Sequence, residues 1–365
     1  MMNSKESTIL TGNHLLLKNL NNSAILNLVR TKAPVSGANL AKMTGMRPST
    51  VQNILKNLEK KGLVINIGTG ESTKLGGRPP SLWEIYGNYG YVIGIQLEIN
   101  EIQAVLVNLN SHIISDYHVE NDKFDSLLNI EAKITALIEG ILHDNNIGNQ
   151  QLLGIGIGVS GLVDITRGII LKTSLIDESL GPSHLERLLK KFYDIPIYIE
   201  NDANAAALAE KWFGSVQNEE HFVFALAVID KEVFGMGFGF ILGHDIYRGT
   251  NMFAGETYPF KLNIKKILVE QCGYTESELD VGRTSIKIDK LRLSDLIQAI
   301  DYDVPVIKLF FDKIGKLIAG ELFSIINLLD PRVIVIGGEV AKAKEYIIKP
   351  IKDAIQRNGL FTSDR

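Results

Sequence analysis

The chain has 365 residues, 45% hydrophobic and 22% charged, with a net charge of −4; this suffices for two or three domains with a sizeable core and is the balance of a soluble globular protein. No apolar run approaches the roughly 20 residues that cross a bilayer, and Met1 to Glu6 lacks the apolar stretch of a signal peptide, so a cytoplasmic protein with no membrane partner is expected. One cysteine, Cys272, excludes an intramolecular disulfide and a multi-cysteine zinc site.

Charge is unevenly spread. Residues 1–90 hold eight Lys and three Arg against four Glu and no Asp, a net +7, which leaves −11 for the other 275 residues. A basic head on an acidic body suggests a nucleic-acid-binding module. Within the head, Ser23 to Arg30 carries apolar residues at helical spacing. Ser36 suits the N-cap of a second helix, Gly37 to Thr44, with Leu40 and Ala41 inward. Gly45 supplies a tight turn, and Pro48 opens a third helix that runs to about Lys61. In it Val51, Ile54, Leu55 and Leu58 form a buried stripe, while Ser49, Thr50, Gln52, Asn53 and Lys56 point outward. Two short helices around a Gly turn match a helix-turn-helix. Gln52 and Asn53 can read base edges, adenine best, and Lys42, Lys56 and Lys60 can meet phosphates. Leu63 to Ile67 and Ser81 to Ile85 read as the strands of a wing, whose basic tip carries Arg78, suited to a minor groove. A protein–protein module with a solvated basic face is the bland alternative; turn, wing and charge agree better with DNA.

From Tyr91 the pattern changes. Tyr91–Leu97, Ile102–Asn108 and His112–Tyr117 read as three strands, followed by a helix from about Ser126 to Leu142. A strand from Leu152 to Val159, a helix from Ser183 to Phe192 and a strand from Ile195 to Ile199 follow. That last strand stops at Glu200-Asn201-Asp202, where a helical run begins. A strand feeding a helix through polar residues places them at the carboxyl end of a sheet, where open α/β sheets bind ligands. Asn201 and Asp202 offer forked, acceptor-rich groups suited to a polyol; the plainer reading is a helix N-cap. A second lobe repeats the theme with strands Phe222–Ile229 and Val233–Leu242, a long helix Pro305–Leu328, a strand Val333–Ile336 and a closing helix. The division expected is residues 1–88 for the head and 89–365 for a two-lobed body, lobe 1 about 89–200 and lobe 2 about 201–365, with a cleft at Asn201–Asp202. Gly156-Ile-Gly158-Val-Ser-Gly161 formally matches the dinucleotide fingerprint, but β-branched, turn-like residues follow where that motif demands a helix. Those glycines read instead as a place where backbone approaches a ligand.

These stretches together resemble the ROK family of bacterial sugar-responsive repressors and sugar kinases, and within it the branch of N-acetylglucosamine and xylose repressors. The resemblance runs from about Gly12 to Lys352. It is carried in the head by Leu20–Leu26, Thr44–Val51 and Gly76–Pro79, and in the body by Gly156–Asp164, Glu200–Ala206, Gly249–Glu256 and Asn327–Gly338. It implies an α/β fold: an N-terminal winged helix-turn-helix plus a two-lobed actin-like (ribonuclease H-like) body. Its sugar contacts fall on Gly161, Asn201, Asp202 and Glu256. It also implies operator DNA and a sugar or sugar-phosphate effector as partners, and a homodimer or higher homo-oligomer.

Departures from the family pattern separate repressor from kinase. Where the kinases carry an Asp-x-Gly-Gly-Thr hairpin, this chain has Gln96-Leu97-Glu98-Ile99-Asn100, and Glu98 sets a bulky anion where a Gly would admit phosphate. The second phosphate loop survives only in part, as Gly235-Met-Gly237-Phe-Gly239, glycines that equally suit close packing. The sequence also ends at Arg365, short of a helix that closes the nucleotide side in family members. The family's structural zinc needs a His where Pro259 stands and three thiolates where only Cys272 is near. No zinc and no ATP are therefore expected, and packing is expected to hold Lys261–Asp303. The reading is a sugar-responsive repressor that binds its effector without phosphorylating it. The alternative is an active ATP-dependent sugar kinase carrying a DNA-binding head.

Overall fold

A computed structural model describes residues 14–70, 79–98, 101–120, 126–173, 175, 182–229, 234–257, 262–281 and 284–358. The chain divides into two compact units, residues 1–157 with 187–198 and residues 158–186 with 199–365. Among the described residues no helix is long and apolar enough to cross a membrane.

The first unit begins with helices His14–Lys32, Gly37–Thr44 and Pro48–Lys60, beside a three-stranded sheet in the order 35–36, 81–85, 64–69. Local rules set these boundaries. The Ser36 hydroxyl accepts the Asn39 N–H at 3.1 Å, and Gly45 ends the second helix at φ 68°, the left-handed conformation glycine adopts without strain. Val51, Ile54, Leu55 and Leu58 are buried with Ile25, Val29, Leu40, Val64 and Trp83 in one core. Leu109, at the turn between the strands Glu101–Asn108 and Ile113–Glu120, packs on that core, and its N–H donates to the Gly87 carbonyl at 3.2 Å. The head is therefore keyed to the sheet that follows it.

That sheet has the order 197–201, 152–159, 91–97, 101–108, 113–120, with the last three strands an antiparallel meander. Ile93, Ile95 and Leu97 are buried at the period of two that puts alternate residues on one face. Helix Leu127–Asp144, capped by Ser126, buries Ile130, Ile134, Ile138 and Ile141 along one stripe. Two expected boundaries move. The helix expected over Ser183–Phe192 spans only Leu185–Leu189, and the strand expected from Ile195 starts at Ile197. Pro196 lacks the N–H that a ladder position needs; only its carbonyl is used, accepting from the Ile155 N–H at 3.0 Å.

The second unit holds a four-stranded sheet in the order 245–247, 234–242, 222–229, 333–337. Strand 222–229 runs antiparallel to 234–242 and parallel to 333–337. Phe222, Phe224 and Ile241 pack with Ala207 of helix Asp202–Phe213. Val223, Ala225 and Phe238 pack with Phe310, Phe311, Ile314 and Ile318 of helix Pro305–Leu329. Ile264, Ile267, Leu268, Leu279, Ile288, Leu291 and Leu296 join that same core. Apolar burial thus anchors the segment 262–303.

Gly237 and Gly239 let helix 202–213 approach the sheet. A Cβ on Gly239 would lie 2.5 Å from the Ala207 Cβ and 2.6 Å from the Ala203 carbonyl oxygen. Gly239→Val is expected to cost about 1–3 kcal/mol through overpacking, read as a lowered urea midpoint. An unchanged midpoint would mean that the glycine does not serve this contact.

Candidate functional site

Two surfaces carry the polar residues singled out by sequence. On the head, Lys42, Ser49, Thr50, Gln52, Asn53 and Lys56 are all exposed, and so are Lys60 and Arg47. Arg47 precedes Pro48 at the start of the third helix, with no cap hydrogen bond from its side chain. The reading from sequence passed over it, although a basic residue in the turn before such a helix is the available signal. Gln52 leans across Gly37, where a Cβ would come within 2.3 Å of its amide nitrogen. Arg78 lies outside the described residues. The outward face of helix 48–60 is thus polar and basic from Arg47 to Lys60, the composition of an element that enters a major groove.

The second surface lies in the second unit, where strand Ile197–Asn201 hands over to helix Asp202–Phe213. Asn201 is buried and makes three side-chain hydrogen bonds. Its Oδ1 accepts the Asn204 N–H at 3.0 Å, the N-cap of the helix. Its Nδ2 donates to the Gly161 carbonyl and to Glu256 Oε1, both at 3.0 Å. The capping reading of Asn201 is therefore realised, and the same amide gathers the expected sugar residues Gly161 and Glu256 around it.

Each partner is delivered by a short, constrained segment. Gly161 opens a hairpin of strands 161–164 and 169–173, not the helix of a dinucleotide fold. It sits at φ 143°, and a Cβ there would lie 2.2 Å from the Lys172 carbonyl oxygen. The Thr173 hydroxyl donates to the Ser160 carbonyl at 2.8 Å and closes the hairpin base. Glu256 follows Gly255, whose φ of 93° and carbonyl bond to the Phe238 N–H at 2.9 Å fix the loop against strand 234–242. A cavity of about 280 Å³ is lined by Glu256, Thr257, Phe238, Glu321 and Ser324, among others.

Asp202 opens the helix beside Asn201. Burial pushes its carboxyl up to about 6, against the lowering effect of the Ala203 backbone N–H, and the neighbouring Glu256 charge adds to the rise. Ser160 also hydrogen-bonds it and lowers it. Burial raises Glu256 as well. Two carboxylates with strong acceptor capacity and a partly suppressed charge suit hydroxyl donors. Glu200, the remaining member of the Glu-Asn-Asp run, turns to Arg248, whose Nε and Nη2 donate to Glu200 Oε2 at 2.9 and 2.5 Å. Nothing in the sequence pairs these two residues, 48 positions apart. Among the described residues no cluster of three or more His, Cys, Asp or Glu is placed to hold a metal.

A winged helix-turn-helix on an α/β body that presents a carboxylate-and-amide corner defines a DNA-binding regulator. The winged helix-turn-helix DNA-binding model matches residues 19–65, and the ROK family model matches residues 92–360; the chain belongs to the ROK family. It is 27% identical over 372 residues to a putative xylose repressor of Caldicellulosiruptor sp. strain Rt8B.4, covering 96% of this chain and 91% of that one. It is 25% identical over 349 residues to the xylose repressor of Bacillus subtilis strain 168, covering 93% and 87%. Among solved structures, a ROK family transcriptional regulator, a homologue of the E. coli MLC protein, superposes with a TM-score of 0.73 at 20% identity, over 94% of this chain and 89% of that one.

The carboxyl of Asp202 holds its proton more tightly in the folded chain than in the unfolded one, so the stability linked to that proton is lost as pH rises from about 4 through about 6. Asp202→Asn cannot ionise and escapes this loss. The stability of the variant relative to wild type, from urea midpoints, is expected to rise between pH 4 and 7 by about 2–3 kcal/mol. A difference that stays flat over that range would contradict the buried-carboxyl assignment.

Proposed function

We propose that this protein is a transcriptional repressor that holds paired operator half-sites through helix 48–60 and releases them when a sugar occupies the Asn201–Asp202 corner. The observation that carries the proposal is the convergence of Gly161, Asn201, Asp202 and Glu256 within one unit of a chain whose other unit exposes a basic recognition helix. Operator contacts are assigned to Lys42, Ser49, Thr50, Gln52, Asn53 and Lys56, with Arg78 of the wing. The names of the relatives make D-xylose the first sugar to test. A homodimer is proposed because paired half-sites mirror two-fold symmetry. The cytoplasm is the place where such a protein meets DNA. Response to the sugar requires only different affinities for it in the DNA-bound and free states.

The proposal includes the absence of phosphoryl transfer, of an ATP requirement and of a structural zinc. Supporting it, Glu98 is exposed at the end of strand 91–97, where an incoming phosphate would meet its charge. Gly237 and Gly239 serve the contact with helix 202–213, and the segment 262–303 has an apolar anchor of its own. Ile99, Asn100 and Pro259 lie outside the described residues. One observation favours the kinase alternative: a carboxylate near 6 suits a general base at neutral pH.

The test uses full-length protein and a DNA fragment that it selects from a random-sequence pool. D-xylose is expected to lower the affinity for DNA in an anisotropy titration, while a coupled assay with ATP and the same sugar shows no turnover. Asp202→Ala is expected to bind the fragment within about twofold of wild type and to lose the sugar response. Release of the Asp202→Ala protein by the sugar would refute the corner as the effector site, and steady ATP consumption would establish the kinase reading.

A further inference from the structure

The loop that carries Glu256 is anchored at both ends, and its incoming anchor has no role in the proposal above. The outgoing end is tied to the sheet: the Phe238 N–H donates to Gly255, a bridge joins Gly237 to Glu256, and the Thr257 hydroxyl donates to the Met236 carbonyl. At the incoming end, the Ala254 N–H donates to the Arg248 carbonyl at 3.1 Å and closes the turn. The Arg248 side chain then crosses to Glu200. Glu200 distributes its two oxygens between the halves of the corner. Oε2 takes both Arg248 donors, and Oε1 takes the Asn201 N–H at 3.0 Å and the Asn204 amide at 3.4 Å. The ion pair is well shielded, with side-chain exposures of 22% for Arg248 and 15% for Glu200.

A shielded ion pair is a poor source of stability, because removing both charges from water costs about as much as their attraction returns. Its geometric content is higher. Arg248 and Glu200 fix the separation between the segment that bears Asn201 and Asp202 and the loop that bears Glu256. The Asn201–Glu256 hydrogen bond and the outgoing anchors hold one end of the loop, and the Arg248–Glu200 pair ties the incoming end to the corner.

We infer that Arg248 and Glu200 are positioning residues for the effector: they touch no ligand, and they set Glu256 against Asn201 and Asp202 so that both carboxylates can take hydroxyls of one sugar. The inference rests on the sugar-binding reading of this corner. It assigns Arg248 a task other than anion binding, since its guanidinium is already engaged.

The experiment compares wild type, Arg248→Ala, Arg248→Lys and Glu200→Gln as full chains, titrated calorimetrically with D-xylose, D-glucose and N-acetylglucosamine. Ligand-free melting temperature and DNA affinity are recorded for each. Arg248→Ala is expected to weaken the sugar that wild type binds by about 10- to 100-fold, the size of loss seen when an outer partner that orients a metal ligand is removed. Its DNA affinity is expected to stay at the wild-type value, with partial recovery in Arg248→Lys. Wild-type sugar affinity in Arg248→Ala, or a loss matched by collapse of the melting temperature and unrelieved in Arg248→Lys, overturns the inference. If Arg248→Ala does not fold, Glu200→Gln decides in its place, since it keeps the shape and one of the two acceptor oxygens and is expected to weaken the sugar by more than any fall in melting temperature accounts for. If wild type binds none of the three sugars, the sugar reading fails for them, and hydrogen exchange at the Ala254 and Glu256 amides, which close the loop onto Arg248 and Phe253, decides the positioning role. Faster exchange in Arg248→Ala at an unchanged melting temperature supports it; wild-type exchange refutes it.

Discussion

The side-chain amide of Asn201 makes three hydrogen bonds inside the protein, with both donors and one of the two lone pairs of its oxygen. One caps helix 202–213, one holds the hairpin carbonyl of Gly161, and one holds the carboxylate of Glu256. Three segments far apart in sequence meet at that group. Because a buried amide left unsatisfied costs about 1–3 kcal/mol per lost partner, each segment has one favoured place, and the corner is assembled before any ligand arrives. This leaves most of the corner's acceptor capacity on Asp202 and Glu256, with one lone pair still on Asn201 Oδ1. Asn201 contributes by arrangement.

The glycines around the corner follow from the same constraint. Gly161 and Gly255 stand where a Cβ would strike the backbone of the neighbouring strand, so hairpin and loop come close enough for a single carboxamide to span them. Gly239 does the same for the helix that Asn201 caps. In a kinase a glycine-rich hairpin at such a place would serve phosphate. Here Gly237 and Gly239 serve the packing of helix 202–213.

How much of this was legible depended on the range of the interactions. The head was legible almost residue by residue, because Ser36, Gly45 and Pro48 act on their immediate neighbours and Val51, Ile54, Leu55 and Leu58 mark a helix face by spacing alone. Strands 91–97, 152–159 and 222–229 were equally plain, as apolar runs bounded by turns. The segment 262–303 was not, because its elements are three to six residues long and its apolar side chains follow the shape of a core built elsewhere. Asn201 and Asp202 were legible from the strand-to-helix handover, and Gly161 and Glu256 through family resemblance, yet their bonding was invisible: Asn201 and Glu256 lie 55 positions apart and Glu200 and Arg248 48 apart. Leu109, which ties the head to its sheet, carries no mark beyond a turn position.

The account therefore turns on whether a carbohydrate sits on Asp202 and Glu256 while Asn201 keeps its three internal bonds. A crystal structure of the full chain at saturating D-xylose tests this most directly. The account predicts density for the sugar with hydroxyls on both carboxylates and the Asn201 amide still bound to Gly161 and Glu256. Sugar density elsewhere, with Asp202 satisfied only by Ser160 and the Ala203 backbone, would contradict it.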